Sequence, residues 1–378
     1  MRRERSYFTE VRDASTAKET DEMSAEMTSY ERMQCVYSHR EPDRLPLLDG
    51  PWGSTVARWR REGLPQQVGV GDFFGFERMA HVGVDNGPRY PSRVVEETED
   101  YVISTTSWGA TMRNWKHKAS VPDFLDFRIR DRETWEDAKA RMTPTEDRVN
   151  WGDLERNHRS WRRRGMWIQA GAWFGYDVFA SWHVGTERML IAMVDDPEWC
   201  ADMFNHALDV NLKLLEMVWD RGYTFDCLSF PDDLGYKNGL FFSLRSYRDV
   251  LKPIHKRAFD WAHNRGVKVM MHSCGNIMEL LPDLIEIGLD GLNPLETKAG
   301  MDLVKIKHLY GDKLVLQGGI DVRKMNQETE IEEEIRTKVS VAKRDGGYIY
   351  HSDHSVPDSV SFSDYCRVIE LVRYYGRY

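Results

Sequence analysis

The chain has little cysteine: five in 378 residues, at positions 35, 200, 227, 274 and 366. An odd, scattered set does not build the disulfide framework of a secreted domain, so a reduced, cytoplasmic setting is the expectation. Long apolar runs are also missing. No stretch reaches the length of a membrane span and no secretory h-region is evident, so no membrane partner is expected. Nor is there an excess of positive charge. The 52 Lys and Arg stand against 61 Asp and Glu, a net charge of -9, and the two signs are interleaved. That excludes the electrostatic footprint of a nucleic-acid binder. The one compact basic run, Arg162-Arg163-Arg164, reads as a solvated flank before a strand. Neither a GxGxxG turn nor a Walker loop occurs in context, and the Gly318-Gly319 pair alone is a weak phosphate signal.

What is present is a globular composition, 41% hydrophobic and 12% aromatic, long enough to bury a substantial core. Residues 1–28 form a polar arm, and residues 29–378 read as a single domain. Buried strands separated by amphipathic helices are legible near residues 45, 165, 225, 267, 291, 314 and 347. This rhythm implies βαβ units and a parallel sheet. Polar residues recur just after the strands, which favours a (β/α)8 TIM barrel over an open doubly wound sheet. The barrel needs eight strands, and the missing one is expected between 110 and 180. Residues 51–120 read as an inserted cap, with short helices followed by a β-hairpin or three-stranded flap over 92–114. Thr134 is the expected N-cap of the helix that follows.

The densest chemistry lies in Val267-Lys268-Val269-Met270-Met271-His272-Ser273-Cys274-Gly275-Asn276. An apolar strand ends in His272 and Cys274, and Gly275-Asn276 turns the chain. Residues two apart on a continuing strand share a face, and imidazole and thiolate are both zinc ligands. In a barrel all strand ends converge, so further donors are within reach. His354 is the first choice for a third ligand and Glu296 a candidate fourth, while His351 and Asp353 are alternatives to either. After the strand near 225 come Asp232 and Asp233, each a candidate to accept a proton, bind a cation or hold a ring nitrogen. The candidate catalytic residues are thus Asp232, Asp233 and Glu296, and the candidate metal ligands His272, Cys274, His354 and Glu296.

Several of these stretches resemble the uroporphyrinogen decarboxylase superfamily over about residues 30–375. They are Glu41-Pro42-Asp43-Arg44-Leu45-Pro46, Asp232-Asp233-Leu234-Gly235, His272-Ser273-Cys274-Gly275-Asn276, and Gly346-Gly347-Tyr348-Ile349 with Ser352-Asp353-His354. The haem-pathway decarboxylases of that superfamily carry an Arg-Gln-Ala-Gly-Arg loop. Here the matching stretch reads Asp49-Gly50-Pro51-Trp52-Gly53-Ser54, without the arginines that would meet a porphyrinogen's carboxylates.

The chain is more similar to the zinc-dependent, corrinoid-linked methyltransferase branch. That resemblance implies a His-x-Cys zinc motif at His272 and Cys274, with the branch's later Cys replaced by His354. It also implies a small methyl donor or acceptor, aromatic or thiol among them, and a corrinoid carried by a partner protein. The chain itself lacks the Asp-x-His-x-x-Gly signature of a cobalamin domain. A homodimer is a candidate assembly. The competing functional readings are a metal-free decarboxylase of a small or tetrapyrrole-like acid and a non-enzymatic corrinoid or small-molecule binder.

Overall fold

Short apolar runs form the strands at the centre of the molecule. The structure, a computed structural model, describes residues 26–117 and 121–378. The arm expected over residues 1–28 therefore lies outside the described residues as far as residue 25. Seven strands are parallel and neighbour one another in chain order: Met79–Val82, Trp167–Gly171, Cys227–Pro231, Lys268–His272, Gly291–Asn293, Val315–Gln317 and Tyr348–Ile349. Sequential parallel strands with a helix on the return path are the order of a (β/α)8 barrel.

The segment around Leu47 lies between the two edge strands. Leu47 forms a parallel bridge with Tyr350, and its carbonyl accepts from the Glu77 N–H at 2.8 Å. The strand expected near residue 45 is thus cut down to one bridge. Pro46 has no N–H to give a ladder, although its carbonyl still accepts from the Tyr350 N–H at 2.9 Å.

The strand missing from the sequence reading is Met79–Val82, not one between 110 and 180. It sits inside the stretch read as the cap and pairs in register with Trp167–Ala170. Four residues interrupted by His81 give no clear local signal, and the pairing is dictated by tertiary context.

The expected flap is a four-stranded antiparallel sheet: Arg93–Glu97, Tyr101–Thr105, Ala110–Trp115 and Asp123–Phe127. It meets the barrel through the turn at Trp108. The Trp108 carbonyl accepts from His183 Nδ1 at 2.9 Å, and its ring centroid lies 5.1 Å from that of Trp173.

The helix Pro197–Asp220 shows why the barrel's outer layer forms. Asp196 caps it by accepting from the Trp199 N–H, and Pro197 sits in the first turn, where its missing N–H costs nothing. Met203, Ala207, Val210, Leu214 and Val218 follow at steps of three and four and are all buried. A large apolar side chain buried in this way contributes about 1.5–3 kcal/mol. The same helix carries buried Asn211, whose amide donates to the Trp173 carbonyl at 3.1 Å, pinning the loop after the Trp167–Gly171 strand.

The helix Arg132–Arg141 is capped by Asp131 rather than Thr134. Asp131 has extended backbone and accepts from the Thr134 N–H, so Thr134 is the third helical residue of a capping box. Among the described residues no helix is long and apolar enough to cross a membrane.

Candidate metal centre

His272, Asn293 and Gln317 are the last residues of three adjacent strands. The register sets His272 opposite Asn293 and Leu292 opposite Leu316, so the three side chains follow one another round the barrel rim. His272 Nδ1 lies 2.9 Å from Asn293 Oδ1, and Asn293 Nδ2 donates to the Gln317 carbonyl at 3.2 Å.

Cys274 follows, with Sγ 3.4 Å from His272 Nε2. Its backbone N–H donates to Asp233 Oδ1 at 2.7 Å, and the next N–H, of Gly275, donates to Glu296 Oε2 at 2.7 Å. Gly275 has φ +81°, and a Cβ there would lie 2.2 Å from the backbone of Gly235. Only glycine makes this turn, which brings both carboxylates up to the thiol.

Two donor groups result: Asp233 with His272 and Cys274, and Cys274 with Glu296 and His354, each with its ligand atoms within 4.8 Å of one another. Cys274 belongs to both. Every residue expected as a ligand thus approaches Cys274, but His272 and His354 do not fall into one group. Asp233, read from the sequence as a candidate to accept a proton, bind a cation or hold a ring nitrogen, stands beside His272 and Cys274.

Burial pushes the Cys274 thiol well above its ordinary range, and the Asp233 and Glu296 carboxylates push it further. Lys298, 3.1 Å from Glu296 Oε1, opposes them only in part. Anionic oxygens crowding a half-buried thiol are a donor set that a divalent cation satisfies. Its mix of imidazole, sulfur and carboxylate is compatible with zinc.

The adjacent Asp232 and Asp233 face different ways, as successive residues leaving a strand do. Asp233 stands at the thiol. Asp232 is 0% exposed, with one oxygen 2.9 Å from His255 Nε2 and the other accepting from the Asp177 N–H at 2.7 Å. His255, also fully buried, has its Nδ1 3.2 Å from the Tyr247 hydroxyl. Both Asp232 oxygens are thus engaged and neither is exposed, so in this structure Asp232 braces the surrounding segments while Asp233 is the member of the pair at the thiol.

The sequence reading missed Asp177. Its carboxylate accepts from Ser181 Oγ at 2.9 Å and Trp173 Nε1 at 3.4 Å. Burial, then the charges of Asp233 and Asp232, push it up to about 7. The available signal was Gly175, which has φ +95° and no room for a Cβ, because Asp232 Oδ2 would lie 2.3 Å away.

The loop after the last strand separates its three candidates. His351 Nδ1 is bonded to the Ser352 carbonyl at 2.6 Å. Asp353 is buried and accepts from the Thr297 and Val322 N–H groups at 3.1 and 3.0 Å, bracing two other loops. His354 joins the donor group, with its ring 6.4 Å from that of Trp52. Buried Asp49 holds this loop by accepting from Ser352 Oγ and the Tyr365 hydroxyl, both at 2.6 Å.

Among solved structures, a methyltransferase from Methanosarcina mazei shares the fold with a TM-score of 0.58 and 16% identity, covering 93% of this chain and 98% of that one. A sugar phosphate isomerase/epimerase from Parabacteroides distasonis aligns with a TM-score of 0.31 and 12% identity, over 59% of this chain and 76% of its own. A D-allulose 3-epimerase from Methylomonas sp. aligns with a TM-score of 0.31 and 13% identity, over 60% and 76%. No curated protein matches the sequence. The family model for uroporphyrinogen decarboxylase (URO-D) matches residues 179–375, which contain the His272–Cys274 turn, Asp232, Asp233, Glu296 and His354. The chain belongs to the uroporphyrinogen decarboxylase family.

Proposed function

We propose that this protein is a zinc-dependent methyltransferase that moves a methyl group between a small substrate and a corrinoid held by a separate protein. The observation that carries the reading is Cys274, a thiol at a barrel strand end shared by two groups of metal-competent donors. Support also comes from the fold, shared along nearly the whole chain with a methyltransferase. His272, Cys274 and His354 would hold the ion, with Glu296 or Asp233 completing the set. Zinc bound there would act as a Lewis acid and keep a coordinated thiol ionised near neutral pH.

The remaining roles belong to this chain's side chains. Asp233 is the carboxylate placed to take a proton from an incoming thiol or hydroxyl. Glu296, braced by the Gly275 N–H and Lys298, either ligates or orients substrate. Asp232 holds the backbone of both flanking loops. The antiparallel sheet belongs to the cap, and its Trp108 packs on Trp173 just after the Trp167–Gly171 strand, aromatic surface suited to an apolar or aromatic methyl carrier.

The test uses zinc-loaded protein with free methylcobalamin as a stand-in for the corrinoid partner and a panel of small thiols as acceptors. The reading predicts thiol-dependent demethylation, seen as a change in corrinoid absorbance and abolished by chelation and by Cys274→Ala. Release of CO2 from a small carboxylic acid by fully chelated protein, with no demethylation, would contradict it.

A further inference from the structure

We infer that Asn293 is the residue that commits His272 to offer Nε2 to a metal ion, and that the Gln317 carbonyl fixes Asn293 in turn. The inference rests on the reading of His272 and Cys274 as metal ligands. A backbone carbonyl only accepts hydrogen bonds. The Asn293 atom facing the Gln317 carbonyl at 3.2 Å is therefore the amide nitrogen, which turns Oδ1 towards His272. An amide oxygen also only accepts, so His272 Nδ1, 2.9 Å away, carries the hydrogen. A neutral imidazole has one N–H. Nε2 is left with its lone pair, and it is the nitrogen 3.4 Å from Cys274 Sγ.

The arrangement is built into the backbone. His272 and Asn293 are register partners on adjacent parallel strands, and the Ser273 N–H donates to the Asn293 carbonyl at 2.8 Å, locking the two strand ends together. Gln317 contributes only its main chain, so the chain of bonds ends on a rigid anchor. Asn293 is also neutral. A carboxylate in its place would add a further negative charge to a centre that already holds Asp233 and Glu296 beside the thiol. Asn293 touches no reacting atom; it is a positioning residue of the kind that sets ring orientation and ligand basicity at metal sites.

Cobalt(II) added to the metal-free full chain is the probe, read by thiolate-to-cobalt charge-transfer absorption. Wild-type protein is expected to take up cobalt with that band. Asn293→Leu, similar in size but unable to accept, is expected to bind it roughly 10- to 100-fold more weakly. Nitrogen-15 spectra of the metal-free wild type, with the His272 signals identified by their loss in His272→Gln, are expected to show the proton on Nδ1. Cobalt affinity unchanged in Asn293→Leu, or a proton on Nε2 in the wild type, overturns the role of Asn293. The spectra decide the matter if the leucine variant does not fold. A folded wild type that takes up no cobalt overturns the metal-site reading itself, which is a separate outcome.

Discussion

Asp232 and His255 are hydrogen-bonded at 2.9 Å, and neither has any surface exposed to solvent. The same carboxylate accepts the Asp177 N–H, and the Asp232 N–H donates to the His272 carbonyl at 2.8 Å. One buried residue thus ties together the segment carrying Asp177 and the helix carrying His255 through its side chain, and the strand end carrying His272 through its backbone N–H. Removing the side chain strands an imidazole and a backbone N–H in the interior. Asp232→Ala is expected to cost roughly 3 kcal/mol or more, and Tyr247→Phe about 1 kcal/mol, because it deletes a single hydroxyl bond. Urea unfolding midpoints measure both. A loss below about 1 kcal/mol for Asp232→Ala would show that the network is not the tie described.

His183 links the cap to the barrel and makes stability depend on pH. Burial lowers it to about 4, and the bond to the Trp108 carbonyl offsets this only partly. The folded protein therefore binds the proton less readily than the unfolded chain, where a histidine titrates at roughly 6.5. Stability from this group is full above the unfolded value and falls as pH drops from there towards 4. Between pH 7.5 and pH 5 the loss is expected to be about 2 kcal/mol. Unfolding of wild type and His183→Gln at the two pH values checks it. The variant should lose that part of the slope, and an equal slope in both proteins would remove His183 as its source.

Asp177 has the opposite sign. Its carboxyl is held up to about 7, so its contribution is full below the unfolded value and is lost as pH rises through 7. In metal-free protein at pH 8 the ionised side chain opposes folding. Asp177→Asn is then expected to stabilise the fold by on the order of 4 kcal/mol at pH 8, and the gain should be about 2 to 3 kcal/mol smaller at pH 5. Thermal unfolding at the two pH values reads the difference. A variant destabilised at pH 8 would mean that the Asp177 charge has a compensating partner.

The strands that carry the centre were legible because each is an apolar run ending in a polar residue, as in Val269-Met270-Met271-His272. The barrel followed from their spacing. Met79–Val82 escaped because it is short and is fixed by its pairing with Trp167–Ala170, not by its own composition. The antiparallel sheet gained its fourth strand, Asp123–Phe127, from pairing with Ala110–Trp115 beyond the stretch read as the flap. At the centre, residue type and strand-end position sufficed to nominate His272, Cys274, Glu296 and His354. They could not decide which of two adjacent aspartates faces the thiol, because that depends on the twist of the chain as it leaves the strand. Asp177 was hidden for a related reason. It sits among aromatic residues that read as packing, and its placement follows from the close approach of Gly175 to Asp232 and from its own N–H bond to that carboxylate.

The central claim is that the strand end at His272 and Cys274 is a metal centre. Its most direct test is the zinc content of untagged protein purified without chelator, measured by elemental analysis beside Cys274→Ala. The account predicts about one zinc per chain in the wild type and a large loss in the variant. Folded wild type without zinc, and with none taken up from added metal, would contradict it, as would a Cys274→Ala variant that keeps the full zinc content.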